Sequence, residues 1–392
     1  MPGVCPGRLT RTRNPNELTT VLLLQTAIFA LLLTRLTAEI GYRQGLTDQP
    51  NGRKQHLHPV PLTGGIAIFL TILCGILVVG IEAYNYPLLA IACLVFMVGV
   101  FDDIRHLSAT LRLLIQFGCG LLLATYGGIA IYDVGNLLAN GTIPLLALSV
   151  PLTALSVAGL CNAYNMIDGI DGLAASTIAL PLLILYVFAL RAGHPMAEML
   201  LLMLVPLAVF LLFNLGPNSR LLPKIFLGDG GSVTLGFLVA ASLVVFSQGE
   251  NALIKPVTAL WLVAVPLMDM LATMLRRARA GRGLMTADRS HLHHALLDLG
   301  LGSRQALLLI IAYAALCAAL GLTLESGQAY LSLLAYSLLF CGHCLFVITA
   351  SRDSDKPNSQ DVRAGRRYCE RGFLRVAPGG IAPATSPDAG SQ

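Results

Sequence analysis

Charge is scarce in this 392-residue chain: Asp, Glu, Lys and Arg together make up 12% of it, about half the share of an ordinary soluble domain. That scarcity excludes a solvated globular surface over most of the length. Also missing are a Walker-type phosphate loop, a dinucleotide fingerprint and any strand-period stretch long enough for a soluble domain. Nucleotide recognition, where present, must come from loops at helix ends. Metal-type cysteine spacing is absent too. The nine cysteines (Cys5, Cys74, Cys93, Cys119, Cys161, Cys317, Cys341, Cys344 and Cys369) are odd in number and mostly sit inside apolar runs, which reads as small core hydrophobes.

What is there in abundance is hydrocarbon. Hydrophobic residues reach 55% and the mean hydropathy is +0.73. Runs such as Val21–Leu33, Gly65–Gly80, Leu88–Phe101 and Met199–Phe213 approach the roughly 17–25 residues that a bilayer span needs. Arg35 and Glu39 follow the first run without a small-x-small cleavage pattern, so it reads as span one rather than a signal peptide. The expected class is all-α, a polytopic integral membrane protein with about eleven transmembrane helices, near 18–36, 64–82, 86–101, 111–127, 142–160, 174–190, 197–214, 231–247, 255–275, 304–322 and 329–350. An N-terminal arm (1–17) precedes this multi-span region (18–350), and a tail (351–392) rich in Pro, Gly, Ser and charge follows it, expected to be disordered.

Alternation puts loops 37–63, 102–110, 161–173, 215–230 and 276–303 and the tail on one side, together with nearly all the Lys and Arg. The positive-inside rule makes that face cytoplasmic. It also accounts for the formal charge of +5 without a nucleic-acid partner, because the basic residues line the span ends instead of one exposed domain. Arg8, Arg11 and Arg13 run against the scheme; the arm is an exception, or the start codon lies downstream.

Four polar constellations fall on the predicted cytoplasmic face. Asp102-Asp103 closes the third span, with Arg112 and Gln116 following. Paired carboxylates beside a membrane are costly unless compensated, so they read as a cation- or proton-handling pair, or else as a solvated helix end beside Arg105. Asn162-Ala-Tyr-Asn165-Met-Ile-Asp168-Gly-Ile-Asp171-Gly172 spaces two amides and two carboxylates among glycines and contains no Lys or Arg. A divalent cation would supply the missing charge. In Leu227-Gly-Asp229-Gly-Gly-Ser232 a single acid between glycines suits an anion or metal-phosphate at a helix N-terminus, or a simple N-cap. The loop from Arg276-Arg277-Ala-Arg279 to Asp288-Arg289-Ser-His291-Leu-His293-His294 lacks a zinc ligand set and suits pyrophosphate, or anchors its arginines on the membrane surface. Lesser features are Asp48 to His56 with Pro61 to Gly65, which either hold substrate or shape the first loop. Asp269 is either a buried partner of Arg276 or a substrate contact.

Together, and in this order, these motifs resemble the polyprenyl-phosphate N-acetylhexosamine-1-phosphate transferases over roughly residues 20–350. Pro256 to Trp261, Pro266 to Asp269 and the Ala287-Asp288-Arg289-Ser-His291-Leu-His293-His294 segment are similar to the WecA type within that superfamily. The resemblance implies transfer of N-acetylglucosamine-1-phosphate from UDP-GlcNAc to undecaprenyl phosphate with release of UMP. It further implies Mg²⁺ or Mn²⁺, a multi-pass inner-membrane setting with the site on the cytoplasmic face, and a role in starting O-antigen or a related surface glycan. Carried over residue by residue, Asn165 and Asp229 are the metal ligands, Asp102, Asp103, Asp168 and Asp171 the catalytic acids, and Asn162, Arg112, Arg277, Arg289, His291, His293 and His294 the substrate contacts. His106, and Gly283-Leu-Met-Thr286 before the histidine loop, depart from the family pattern.

Such chemistry exchanges one phosphoanhydride for another, so it is expected to be reversible and to rest on charge neutralisation and alignment. A single displacement with Asp102 as base is the expected route, and a double displacement through an aspartate is the other. The alternatives are another donor (UDP-FucNAc, UDP-QuiNAc or UDP-MurNAc-pentapeptide) and, more distantly, an ion-coupled transporter. The partners expected are the two substrates and the bilayer; a homodimer is compatible with the sequence and not required by it.

Overall fold

A computed structural model of the chain describes residues 15–49, 58–79, 85–281, 283 and 291–354. The N-terminal arm before Pro15, the tail after Ser354, the segment Asn51 to His56 and Arg289 lie outside the described residues. The chain divides into two units, Met1–Ile348 and Thr349–Gln392, and all that follows concerns the first.

The described residues form thirteen α-helices and one two-stranded sheet. In order they are α1 (Pro15–Gln44), β1 (Thr47–Asp48), β2 (Val60–Pro61), α2 (Gly64–Val79), α3 (Tyr86–Arg105), α4 (Ala109–Thr125), α5 (Ser149–Ile167), α6 (Leu173–Ala192), α7 (Ala197–Asn214), α8 (Asp229–Ser247), α9 (Pro256–Leu262), α10 (Ala264–Arg279), α11 (Leu292–Asp298), α12 (Ser303–Thr323) and α13 (Ala329–Ser354). Eight are long and apolar enough to cross a bilayer, and the pair α9 and α10 makes a ninth if it is one broken span. The chain is a multi-pass membrane protein. The expected count of about eleven is not reached by length: α2 and α4 are apolar but have only 16 and 17 residues. At 1.5 Å rise per residue they fall short of the roughly 30 Å hydrocarbon layer.

Local sequence explains the boundaries. Asn85 caps α3 by accepting from the Leu88 N–H at 2.9 Å, with Pro87 in the first turn, and His106 ends the helix in the left-handed region at φ 52°. Ser108 starts α4 the same way. The segment expected as one span over 255–275 is instead two helices meeting at 80°, with the break at Val263, three residues before Pro266. Pro266 has no N–H to give to the Leu262 carbonyl four residues back, and its ring crowds that carbonyl, so the helix cannot run on unbroken.

Helix α8 is the axis of the bundle. Its apolar window is 94% buried, against 28–61% for the other long helices, which is why it carries no amphipathic pattern. Its first turn is where the backbones come closest. A Cβ on Gly65 would lie 2.2 Å from the Gly231 Cα, and one on Gly99 2.6 Å from the Gly230 Cα. Only glycine lets α2 and α3 pack onto that turn. The segment leading into it is held by backbone bonds from Phe226 N–H to Pro61 O and from the Gly64 and Gly65 N–H groups to Phe226 O and Leu227 O. Residues 61–65 therefore hold the loop before α8 through their backbone.

Candidate active site

The ends of α3, α5, α8 and α10 and the start of α11 converge, bringing together residues far apart in the chain. The Asp102 carboxylate is buried at the last turn of α3, where one oxygen accepts from the Leu107 N–H at 2.7 Å and the other from Arg112 Nη1 at 2.6 Å. The same Arg112 nitrogen reaches Asp229 Oδ2 at 2.9 Å. Arg112 is thus a bridge between two carboxylates, whereas Arg105 is exposed. Both Asp102 oxygens thus accept from protein donors, and the carboxylate anchors Arg112.

Asp103 does something different. Its two oxygens accept from the backbone N–H groups of Asp229 and Gly230 at 2.8 and 3.0 Å. These are donors that the start of α8 would otherwise leave unsatisfied. The anion that the Leu-Gly-Asp-Gly-Gly-Ser loop was expected to attract is therefore the protein's own Asp103. Asn165, at the end of α5, donates to Asp229 Oδ1 at 2.7 Å and to Ser232 Oγ at 3.1 Å. One turn earlier, Asn162 donates to Gln116 Oε1 at 2.5 Å and Ala158 O at 2.7 Å.

The loop after α5 contains no Lys or Arg, which predicts negative charge without a partner. Asp171 departs from that expectation, because Lys224, from the segment before α8, forms an ion pair with it. Asp168 keeps its excess charge. Its tip opens to solvent, yet the group is set deep among protein atoms. That desolvation, then the like charges of Asp229, Asp103 and Asp171, raises its carboxyl from 3.8 to about 7. The open tip lets water weaken the shift, so its upward direction is what matters here.

On the far wall, Asp269 of α10 is 1% exposed. It contacts His291 Nδ1 at 3.0 Å and accepts from the Leu292 N–H at 2.7 Å. Among the described residues its partners are therefore His291 and the start of α11, where the sequence had offered Arg276 or a substrate. His293 is buried beside Asp269, with neither ring nitrogen hydrogen-bonded among the described residues. A Cβ on Gly169 would lie 2.0 Å from its Nε2, so the histidine loop is wedged against the acid loop at that glycine. Burial first, and then His294, lowers the His293 imidazole to about 3, which keeps it neutral. His294 packs against it with ring centroids 4.2 Å apart. Arg277 is buried one helical turn beyond Thr273.

Arg112, Asn162, Asn165, Arg277 and His291 also line one end of a cavity of about 940 Å³. The rest of its wall is apolar: Phe117, Leu152, Leu243, Leu260, Leu267 and Met270 lead towards Ile131, Gln248 and Pro256 near the opposite end of the bundle. Of the metal ligands, catalytic acids and substrate contacts that the resemblance implies, Arg289 alone lies outside the described residues. Those the sequence did not single out as site residues are Gln116, Lys224 and Ser232, along with the link from Asp269 to His291.

Among the described residues, no three His, Cys, Asp or Glu side chains form a ready metal cage. The donors nevertheless fit a hard divalent cation. Asp229 and the Asn165 amide supply oxygen at a point of surplus negative charge, marked by the raised Asp168. Magnesium characteristically takes one or two carboxylates and completes its shell with water and substrate phosphates.

The acid cluster of this helical, multi-pass membrane protein thus reaches one end of an apolar cavity through Arg112 and Asn165, which touch Asp229 and line that cavity. Comparison with known proteins specifies the class. Residues 85–247 match the model of glycosyl transferase family 4. The undecaprenyl-phosphate alpha-N-acetylglucosaminyl 1-phosphate transferase of Yersinia pestis is 33% identical over 325 residues, covering 81% of this chain and 89% of the relative. The protein of the same name from Escherichia coli (strain K12) is 33% identical over 328 residues, covering 81% and 88%. The "probable undecaprenyl-phosphate N-acetylglucosaminyl 1-phosphate transferase" of Bacillus subtilis (strain 168) is 31% identical over 313 residues, covering 79% and 86%. The chain belongs to glycosyl transferase family 4. Enzymes of this family generally depend on a divalent metal ion.

Proposed function

We propose that this chain transfers N-acetylglucosamine-1-phosphate from UDP-N-acetylglucosamine to undecaprenyl phosphate, giving undecaprenyl-pyrophosphoryl-N-acetylglucosamine and UMP. The observation that carries this reading is the continuity of the apolar cavity with the polar centre. A single volume of about 940 Å³ has hydrocarbon along its length and Arg112, Asn165, Arg277 and His291 at one end. A polyprenyl phosphate has the same two parts, and the names of the relatives supply both substrates.

An oxygen of the lipid phosphate attacks the β-phosphorus of the nucleotide sugar. The bond from that phosphorus to the bridging oxygen breaks, and its electron pair leaves with UMP. One phosphoanhydride replaces another, so the main barrier is bringing two anions together. Arg112 and Arg277 meet that repulsion, the first fixed by Asp102 and Asp229. Asp103 holds the first turn of α8, and with it Asp229, in place. Asn165 and Asp229 would hold the divalent ion, which when bound neutralises pyrophosphate charge. Asp168, raised towards neutrality, accepts whatever proton the lipid phosphate still carries. Asn162 and His294 contact the nucleotide sugar, Asp171 with Lys224 closes the acid loop, and His293 braces it.

The basic end of α10, with Arg276, Arg277 and Arg279, supports a cytoplasmic site in the bacterial inner membrane. The product would be the first lipid-linked intermediate of O-antigen or a related surface glycan.

The test is transfer of label to lipid in membranes containing the chain, with Mg²⁺, undecaprenyl phosphate and a panel of labelled donors. UDP-N-acetylglucosamine should be the preferred donor over UDP-FucNAc, UDP-QuiNAc and UDP-MurNAc-pentapeptide. Preference for another donor would overturn the sugar assignment, and no transfer from any of them by folded protein would overturn the reaction.

A further inference from the structure

We infer that Asp269 is a positioning residue that accepts a hydrogen bond from the Nδ1–H of His291 and so turns Nε2 of that ring towards the phosphoryl groups of the nucleotide sugar. The inference deepens the reading above and rests on it for the identity of the substrate.

Both carboxylate oxygens of Asp269 are occupied, and by neighbours in sequence. Oδ2 lies 3.0 Å from His291 Nδ1, and Oδ1 accepts from the Leu292 N–H at 2.7 Å. One side chain on α10 therefore grips both the ring of residue 291 and the first backbone donor of α11. An ionised carboxylate can only accept, so Nδ1 must carry the proton. Thr273 Oγ1, 3.4 Å from Nδ1, is at the limit of a hydrogen bond and is the weaker partner. The ring nitrogen left over is Nε2, and His291 lines the cavity wall together with Arg277.

Placement on α10 supports the same assignment. Asp269, Thr273 and Arg277 are spaced by four residues, so they share one helix face, and all three are buried. That face delivers a cation at its end and, through the carboxylate, an imidazole. A carboxylate at 1% exposure inside an apolar bundle is costly unless its partner makes it useful. Stability alone is served as well by an apolar residue.

The test uses selectively ¹⁵N-histidine-labelled full-length protein, with the His291 signals assigned by their loss in His291→Gln. In the unsubstituted protein, Nδ1 of His291 should be protonated. In Asp269→Asn the amide keeps the Leu292 bond but faces Nδ1 with a donor, so the proton should move to Nε2. Transfer activity should fall about 100-fold or more, as wrong-tautomer variants of oriented histidines do, mostly in kcat. In the His291→Gln background, Asp269→Asn should cost less than about twofold further, because the residue acts through the ring.

An Nδ1 without a proton in the unsubstituted protein overturns the inference, and so does a full additive loss in the double variant. The nitrogen signals need no substrate. A protein inactive with every UDP-sugar but carrying the Nδ1 proton would therefore sink the proposed reaction while leaving the positioning intact.

Discussion

The two ends of this bundle are both polar, and they differ in how their charges are met. At the end away from the acid cluster, Gln248, Lys255 and Glu325 each close on protein groups. Gln248 accepts from the Tyr132 and Asp133 N–H groups and donates to Asp133 O. Glu325 accepts from the Lys255 N–H and from Thr258, while Lys255 Nζ donates to the Glu325 and Gly327 carbonyls. These are clips that tie loops to helix ends. At the other end Asp102, Asp103, Asp168 and Asp229 crowd together with Arg112 as the bridging cation, and Asp168, in the loop after α5, is raised towards neutrality. Polar density alone does not make a site; uncompensated charge beside a cavity does.

The sharpest way to exploit that contrast is Asp229→Asn. Asp229 is both a proposed metal ligand and half of the Arg112 bridge, so transfer should fall about 1000-fold. The thermal midpoint should hardly move, because one of several crowded carboxylates has been neutralised. Arg112→Ala should lower both activity and stability. It leaves the buried Asp102 without its cation, which costs about 3–5 kcal/mol for a fully buried pair. The 26% exposure of the Arg112 side chain reduces this to about 2 kcal/mol, readable by calorimetry in detergent.

Gly169→Ala tests the wedge between the two loops. The new methyl would meet His293 Nε2 at 2.0 Å, so one loop must move. Overpacking of this kind costs about 1–3 kcal/mol, and activity should drop about tenfold. His293→Ala in the same background should recover part of the loss.

Asp168 gives a pH signature. Its folded carboxyl is raised to about 7 from 3.8, so below 3.8 both states are protonated and it contributes nothing. As pH rises from about 4 to 7, the unfolded chain ionises first and the native state loses stability from this group. Metal-free protein should therefore show a fall in thermal midpoint between about pH 4 and pH 7 that Asp168→Asn reduces and Mg²⁺ opposes. Smallest of all, Gln248→Ala at the opposite end should change kcat less than about twofold while lowering the midpoint by a few degrees. A large loss of activity there would break the comparison.

The parts of this picture that were legible in the sequence are the ones written locally. Apolar runs marked each helix that passes for a span, and Asp102-Asp103, the Asn165 to Asp171 run and Asp229 carried their chemistry in their own composition. What escaped was pairing across the chain. Nothing near Asp171 announces Lys224, 53 residues away, and nothing near Asp103 announces the α8 backbone it caps, 126 residues away. The break at Val263 was missed because apolar periodicity is continuous across it, although Pro266 was in plain view. Asp269 was seen as a buried acid, but its choice of His291 over Arg276 depends on where α11 returns to α10.

The account's central claim is that the acid cluster and the apolar cavity form one reaction centre, and the reverse reaction tests it most directly. Purified protein would be given undecaprenyl-pyrophosphoryl-N-acetylglucosamine, UMP and Mg²⁺, beside the Asp229→Asn variant. The account predicts UDP-N-acetylglucosamine and undecaprenyl phosphate from the unsubstituted protein, halted by chelation and nearly absent in the variant. Equal rates from both proteins, or no nucleotide sugar from protein that is demonstrably folded, would contradict it.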